Sequence, residues 1–184
     1  MKTSSITLPT KQLALTGLMT AVICILGPFS LMGVGPVPIS LGTLAIYFVC
    51  SVLGMKRGTV STVLYILLGL AGLPVFSGFS GGPGKLFGPT GGYIIGYLFM
   101  ALVCGYFAER FSDRFLISFL GMLLGTAVCY LFGTLWLAYQ ASMTFTAALA
   151  AGVLPFIPGD LVKLILAMAT GRTLRNRLKQ ADLL

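Results

Sequence analysis

The sequence contains no histidine and only four carboxylates, Glu109, Asp113, Asp160 and Asp182. The first absence excludes Ser-His-Asp and Cys-His nucleophile systems, His-ligated metals and His proton relays. The second leaves paired-carboxylate chemistry unsupported, because the spacing does not bring two of the four together inside a membrane. Charge of either sign is scarce. Only 9% of residues are charged, where a soluble domain carries about 25%. The apolar share is 57% and the mean hydropathy is +1.00. A soluble enzyme, a disordered chain and a nucleic-acid binder are excluded on these numbers. The composition specifies an integral membrane protein, and 184 residues suffice for a single domain, 1–184. It is not expected to be an enzyme, and neither a metal nor a cofactor is expected.

The four cysteines, Cys24, Cys50, Cys104 and Cys129, each sit in an apolar stretch and form no CxxC. They read as small buried hydrophobes. A short polar segment from Lys2 to Lys11 precedes the first apolar run. No small-residue cleavage site follows it, so that run reads as a first span rather than a cleaved signal.

Charges cut the chain into neutral runs at 12–55, 58–84, 86–108, 115–159 and 164–171. A spanning helix needs roughly 20 apolar residues, so the first run has room for two. It breaks at the Gly/Pro cluster between Gly27 and Pro38. Six helices are expected, at 11–28, 41–55, 58–73, 89–108, 115–139 and 158–178. The second and third are short for a bilayer and imply tilt or local thinning. A segment at 143–152 looks helical but too short to span, and it belongs to the loop before the sixth helix.

Six spans sort the basic residues. Lys2, Lys11, Lys56, Arg57, Arg110, Arg114, Arg172, Arg175, Arg177 and Lys179 fall on one side, while the opposite loops 29–40, 74–88 and 140–157 hold only Lys85. The positive-inside rule then puts both termini in the cytoplasm. The outer loops are rich in Gly and Pro and poor in charge. Phe29, Leu31, Met32, Val37, Val75, Phe76 and Phe79 mark them as lids folded back on the bundle rather than flexible linkers.

Asp160 and Lys163 are the polar residues that composition does not explain. They lie in PFIPGDLVKLILAMA, with Pro158 suited to a first helical turn. An i, i+3 spacing puts both on one helix face. An aspartate in the first turn is favoured by the helix dipole, which would make the pair a cap with an internal salt bridge. Yet no cap needs a lysine one turn deeper, and ionisable residues in membrane segments point to function. Together they offer a polar ligand one acceptor and one donor group. Lys85, in SGGPGKLFGPTGGY, is the other charge on this side. Its glycines permit close backbone approach, and the following helix start offers an anion site. GGPGKL is not a phosphate loop, which needs GxxxxGK[ST], so the chain carries no ATP site of its own. Small-xxx-small pairs at Gly17/Ala21, Gly92/Gly96 and Gly121/Gly125 allow close helix approach in lipid. The first of these could instead meet a partner membrane protein.

Four segments in order, GPVPISLGTL at 35–44, GLAGLPVFSG at 69–78, GPTGGYIIGY at 88–97 and PFIPGDLVKLILA at 155–167, resemble the BioY family. These are biotin-specific S-components of energy-coupling factor (ECF) transporters. The resemblance runs from about residue 12 to 172. It implies an all-α, six-helix ECF S-component fold, with a vitamin pocket near the outer face. It implies assembly with a transmembrane coupling subunit and two ATP-binding subunits, and a toppling movement that exposes the site to the cytoplasm. ATP is then used only by the partners, in a prokaryotic plasma membrane. On this reading Asp160 accepts from the ureido N–H groups of biotin, Lys163 donates to a ligand oxygen, Thr43 and Tyr93 line the pocket, and Lys85 meets the carboxylate. Gly17/Ala21 is the nearest match to the family's helix-one coupling signature, a pair of alanines. Ser40-Leu41-Gly42-Thr43 stands where the family commonly has Thr-Leu-Gln-Thr, so Gly42 loses an amide contact. An S-component for another vitamin, thiamine or riboflavin, is the alternative.

Overall fold

The neutral runs become helices in the computed structural model, which describes residues 8–31, 37–112 and 114–184. In chain order the elements are α1 (Leu8–Leu26), β1 (Ser30–Leu31), β2 (Ile39–Ser40), α2 (Gly42–Leu53), α3 (Met55–Leu70), α4 (Pro83–Leu86), α5 (Gly91–Arg110), α6 (Phe115–Gln140), α7 (Phe145–Gly152) and α8 (Ile157–Gln180). The six helices expected from the charge pattern correspond to α1, α2, α3, α5, α6 and α8. Among the described residues, α5 and α6 are each long and apolar enough to cross a membrane. The pair α7 and α8 qualifies together, bent by 52° at the break between them. Thr10–Leu26 and Gly42–Leu53 are apolar but shorter.

The junction of the second and third expected helices differs from the sequence expectation. Lys56 and Arg57 do not form a loop between helices; they lie in the first turn of α3, and the break is Gly54 alone. Gly54 has φ +80° and ψ −166°, a region that essentially only glycine enters. The Glu109 carboxylate from α5 then accepts from Met55 N–H at 2.9 Å, satisfying one of the orphan donors at the start of α3. The segment at 143–152 is helical, as its sequence suggested, over α7. Thr144 caps it by accepting from Ala147 N–H at 3.3 Å.

Packing is centred on α2, nine of whose twelve residues are buried, so this short helix is the middle of the bundle. The closest pairing is α5 with α6, and glycine makes it possible. A Cβ on Gly92 would lie 2.2 Å from Trp136, one on Gly125 2.6 Å from Cys104 Sγ, and one on Gly121 2.0 Å from the Phe107 ring. Large groups of one helix therefore fill the glycine notches of the other. Gly17 on α1 differs, since nothing lies within 4 Å of its Cβ position. Away from the core, Leu116, Leu120, Leu124, Leu131 and Leu135 stand exposed along α6, a surface suited to acyl chains.

The first two long loops fold back on the bundle. Residues 30–31 and 39–40 pair as a minimal antiparallel ribbon, Ser30 opposite Ser40. Gly78 N–H donates to Pro28 C=O at 2.9 Å, which joins the two loops. Phe29 and Phe79 meet edge to face with centroids 5.4 Å apart. Val37, Val75 and Phe76 are buried, while Phe29 and Phe79 stay largely exposed. Met32 and Lys2 lie outside the described residues, as does the side chain of Leu31.

Gly54→Ala is expected to destabilise the protein by about 1–3 kcal/mol, the cost of forcing a Cβ into that backbone region. A thermal melt in detergent reads this, and an unchanged midpoint would contradict the strained break.

Candidate functional site

The bend between α7 and α8 places the first turn of α8 beside the ribbon that precedes α2. Asp160 in that turn and Lys163 one turn further on are buried, at 6% and 9% exposure. The hydrogen bonds of the Asp160 carboxylate run to the side chains of Lys163, Thr43 and Tyr130 rather than to backbone N–H groups, so it does not serve as a helix cap. Lys163 Nζ donates to Asp160 Oδ1 at 2.8 Å, to Ser40 C=O at 2.7 Å and to Thr43 Oγ1 at 3.2 Å. An ammonium has three protons, and all three have partners. The expectation that Lys163 donates to a ligand oxygen therefore requires the ligand to displace one of these acceptors.

Asp160 is less fully engaged. Oδ1 meets Lys163 and the Thr43 hydroxyl, the latter at 3.3 Å. Oδ2 accepts from the Tyr130 hydroxyl at 2.7 Å. A carboxylate offers about four acceptor positions, so at least one remains on Oδ2 for a ligand N–H. The position of Thr43 rests on Ser40. The Ser40 hydroxyl donates to Gly27 C=O at 3.0 Å and accepts from Gly42 N–H at 2.8 Å. This fixes the entry to α2 while leaving the Ser40 carbonyl free to receive the ammonium.

The pair stands in the wall of a cleft with about 620 Å³ of empty space, open solvent at its mouth included. Aromatic side chains dominate the walls: Tyr65 from α3, Phe76 from the 72–82 loop, Tyr93 and Tyr97 from α5, Tyr130 from α6 and Phe156 before α8. Phe76 is seated by the absence of a side chain at Gly69, whose Cβ would lie 2.1 Å from the ring. Thr90 and Ser77 add hydroxyls to the wall. The chemistry is that of an apolar slot with one polar end, able to hold a flat or partly saturated ring that carries N–H donors.

Of the residues singled out in the sequence, Thr43, Tyr93, Asp160 and Lys163 all line this cleft. The Tyr93 hydroxyl is already committed, donating to Gly152 C=O at 2.9 Å and so tying α5 to α7. Lys85 is not part of the cleft wall. It sits half-buried on α4, where desolvation pushes its pKa down. Gly17 and Ala21 are exposed on α1, away from the cleft. Sequence reading missed Tyr130, the direct partner of Asp160. Its only signal was a tyrosine inside a long apolar helix, which does not say which way the hydroxyl points. It also missed the Ser40 carbonyl, since backbone carries no sequence signal. Among the described residues, no group of three or more metal-ligating side chains is gathered.

The chain is 38% identical over 177 residues to a biotin transporter BioY of Rhizobium etli, covering 89% of this chain and 92% of that protein. It is likewise 38% identical over 166 residues to a probable biotin transporter BioY of Pyrococcus horikoshii, with 90% and 97% covered. The crystal structure of an S-component for biotin from an ECF-type ABC transporter superposes with a TM-score of 0.82 at 35% identity, covering 90% of this chain and 91% of that one. The BioY family itself matches residues 1–180. A membrane protein with this all-helical fold, and with relatives of this kind along nearly its whole length, belongs to the BioY family.

Proposed function

We propose that the chain binds biotin in the Asp160 cleft and acts in its uptake as the S-component of an ECF-type transporter. The observation that carries this is the pairing of a buried, partly unsaturated carboxylate with an aromatic slot, in a member of the BioY family. Biotin has two ureido N–H groups, a ureido carbonyl, an apolar thiophane ring and a carboxylate on an alkyl chain. Asp160 Oδ2 accepts a ureido N–H. Lys163 turns one proton from Thr43 or Ser40 to the ureido oxygen, and Thr43 fills the gap that remains. Tyr93, Tyr97 and Phe76 cover the thiophane. The alkyl chain carries the carboxylate out of the ring site, and Lys85 is its partner there.

The six principal helices, α1, α2, α3, α5, α6 and α8, are taken as six spans, with α7 a short outer helix leading into α8. Both termini then face the cytoplasm with the basic clusters, as the positive-inside rule requires. Gly17 and Ala21, on an exposed strip of α1 with no neighbour over Gly17, are the surface for the coupling subunit. Two ATP-binding subunits complete the assembly and supply the energy, so the chain itself needs no cofactor.

Binding of biotin to the purified protein in detergent, with thiamine and riboflavin as competitors, tests the reading. One-to-one binding blocked by neither vitamin is expected. Displacement by either one would reassign the site, and no binding by folded protein would overturn it. Asp160→Asn should raise the Kd between about fivefold and 150-fold, the 1–3 kcal/mol cost of a buried polar group left mismatched. An unchanged Kd would remove Asp160 from the site. Tyr130→Phe should raise it by less, since the carboxylate and its ion pair survive. For topology, a green fluorescent protein fused after Leu184 should fluoresce, while an alkaline phosphatase fused there should be silent; the reverse pattern would contradict the six-span reading.

A further inference from the structure

Ser40, Thr43, Ser77 and Thr90 bring aliphatic hydroxyls to the cleft wall. Those of Ser40 and Thr43 are spent on the first loop and on the ion pair. The Thr90 hydroxyl has no hydrogen-bond partner among the described residues, although Thr90 is only 9% exposed. A buried hydroxyl left unpaired is costly, and here it belongs to a residue that lines an open cleft.

Thr90 is also the residue before the first turn of α5. A threonine there ordinarily has extended backbone and turns its oxygen onto an N–H two or three residues ahead. Thr90 has φ −92° and ψ −2°, and it makes no such bond. Gly92 N–H has no backbone acceptor among the described residues, and the first turn of α5 holds no acidic residue. The positive end of the helix dipole is therefore neither capped nor neutralised. The turn itself is held firmly. Trp136 Nε1 on α6 donates to Gly88 C=O at 2.9 Å, and the Gln140 amide donates to Phe87 C=O.

The register of α5 on α6 sets the distance of this station from Asp160. Gly92 faces Trp136, and Gly96 faces Cys129. Tyr130, which reaches Asp160, follows Cys129 and is level with Gly96. From Gly96 back to Thr90 the helix rises about 9 Å. The cleft thus has two polar stations, an acceptor at Asp160 and a donor at Thr90, with Tyr93, Tyr97 and Ile94 between them on α5. The fused rings and alkyl chain of biotin span a distance of this order, with N–H donors at one end and a carboxylate at the other.

We propose, resting on the biotin reading above, that Thr90 and the first turn of α5 receive the carboxylate of the ligand. The Thr90 hydroxyl donates to one carboxylate oxygen, the helix dipole favours its charge, and Lys85 on the adjoining α4 adds a second positive group. The site then selects a free carboxylic acid over the corresponding amide.

Competition against labelled biotin on the purified full chain in detergent tests this, with biotin and biotinamide as probes. The wild type should prefer biotin by about tenfold or more, the worth of one hydrogen bond to a charged group. Thr90→Val keeps the shape and removes the hydroxyl. It should raise the Kd of biotin about tenfold and leave that of biotinamide nearly unchanged, while Thr90→Ser restores the preference. Thr90→Ala gives the same readout should Thr90→Val not fold. Lys85→Met should leave a residual preference for biotin. Equal binding of the two probes by the wild type, equal weakening of both by Thr90→Val, or loss of the whole preference in Lys85→Met would each overturn the assignment while leaving biotin as the ligand. Failure of folded wild-type protein to bind biotin would instead overturn the biotin reading, and this assignment with it.

Discussion

The ion pair between Asp160 and Lys163 is the constraint on which the rest of the site depends. Two buried charges in a low-dielectric interior are tolerated only when each is matched and its remaining hydrogen-bonding capacity is used. Here the match requires three separate parts of the chain. α8 supplies the pair, the turn before α2 supplies the Ser40 carbonyl and Thr43, and α6 supplies Tyr130. Removing one member of such a pair strands the other charge, at about 3–5 kcal/mol. The pair thus holds the first loop, α6 and α8 in register around the cleft, and the aromatic walls are hung on that frame.

The same logic explains the bent entry into α8. A straight helix from 145 to 180 would carry Asp160 in its middle, with no space in front of it. Breaking the helix at 153–156 and bending it by 52° puts Asp160 in a first turn that opens on the cleft. Tyr93 braces the bend by holding the Gly152 carbonyl, and a Cβ on Gly152 would lie 2.2 Å from that hydroxyl. One tyrosine thus serves as wall and as strut. A substitution at Tyr93 would for that reason disturb the shape of the site together with its contacts.

Glycine is the other organising element, and it acts through what it leaves out. In a bilayer, helices gain little from hydrophobic sorting and associate through close packing. Gly92, Gly121 and Gly125 each receive a group from the facing helix, and Gly69 receives the Phe76 ring from the loop above. That last notch turns an apolar, proline-containing loop into a fixed wall. Gly17 receives nothing, and its spacing relative to Ala21 resembles the internal pairs, so the sequence pattern alone does not separate packed faces from free ones.

Much of the fold was legible because the charges are so few. Interrupting an apolar chain with clusters of lysine and arginine marks helix ends directly, and α5, α6 and α8 lie within two residues or so of their expected bounds. The α2–α3 junction was misjudged because a lone glycine at positive φ turns the chain without any loop composition, which left Lys56 and Arg57 to begin a helix. Asp160 and Lys163 were visible as charges where charge is expensive, and Thr43 and Tyr93 only through the segments that resemble the BioY family. What the sequence by itself determined is the membrane class, the helix pattern and the identity of the buried Asp160–Lys163 pair, since each follows from local composition and from the cost of charge in an apolar setting. Only the tertiary structure decided that Tyr130 and the Ser40 carbonyl complete that pair and that Lys85 stands outside the cleft. Those facts depend on how distant segments meet, and neither a backbone carbonyl nor the direction of a hydroxyl is written in residue spacing.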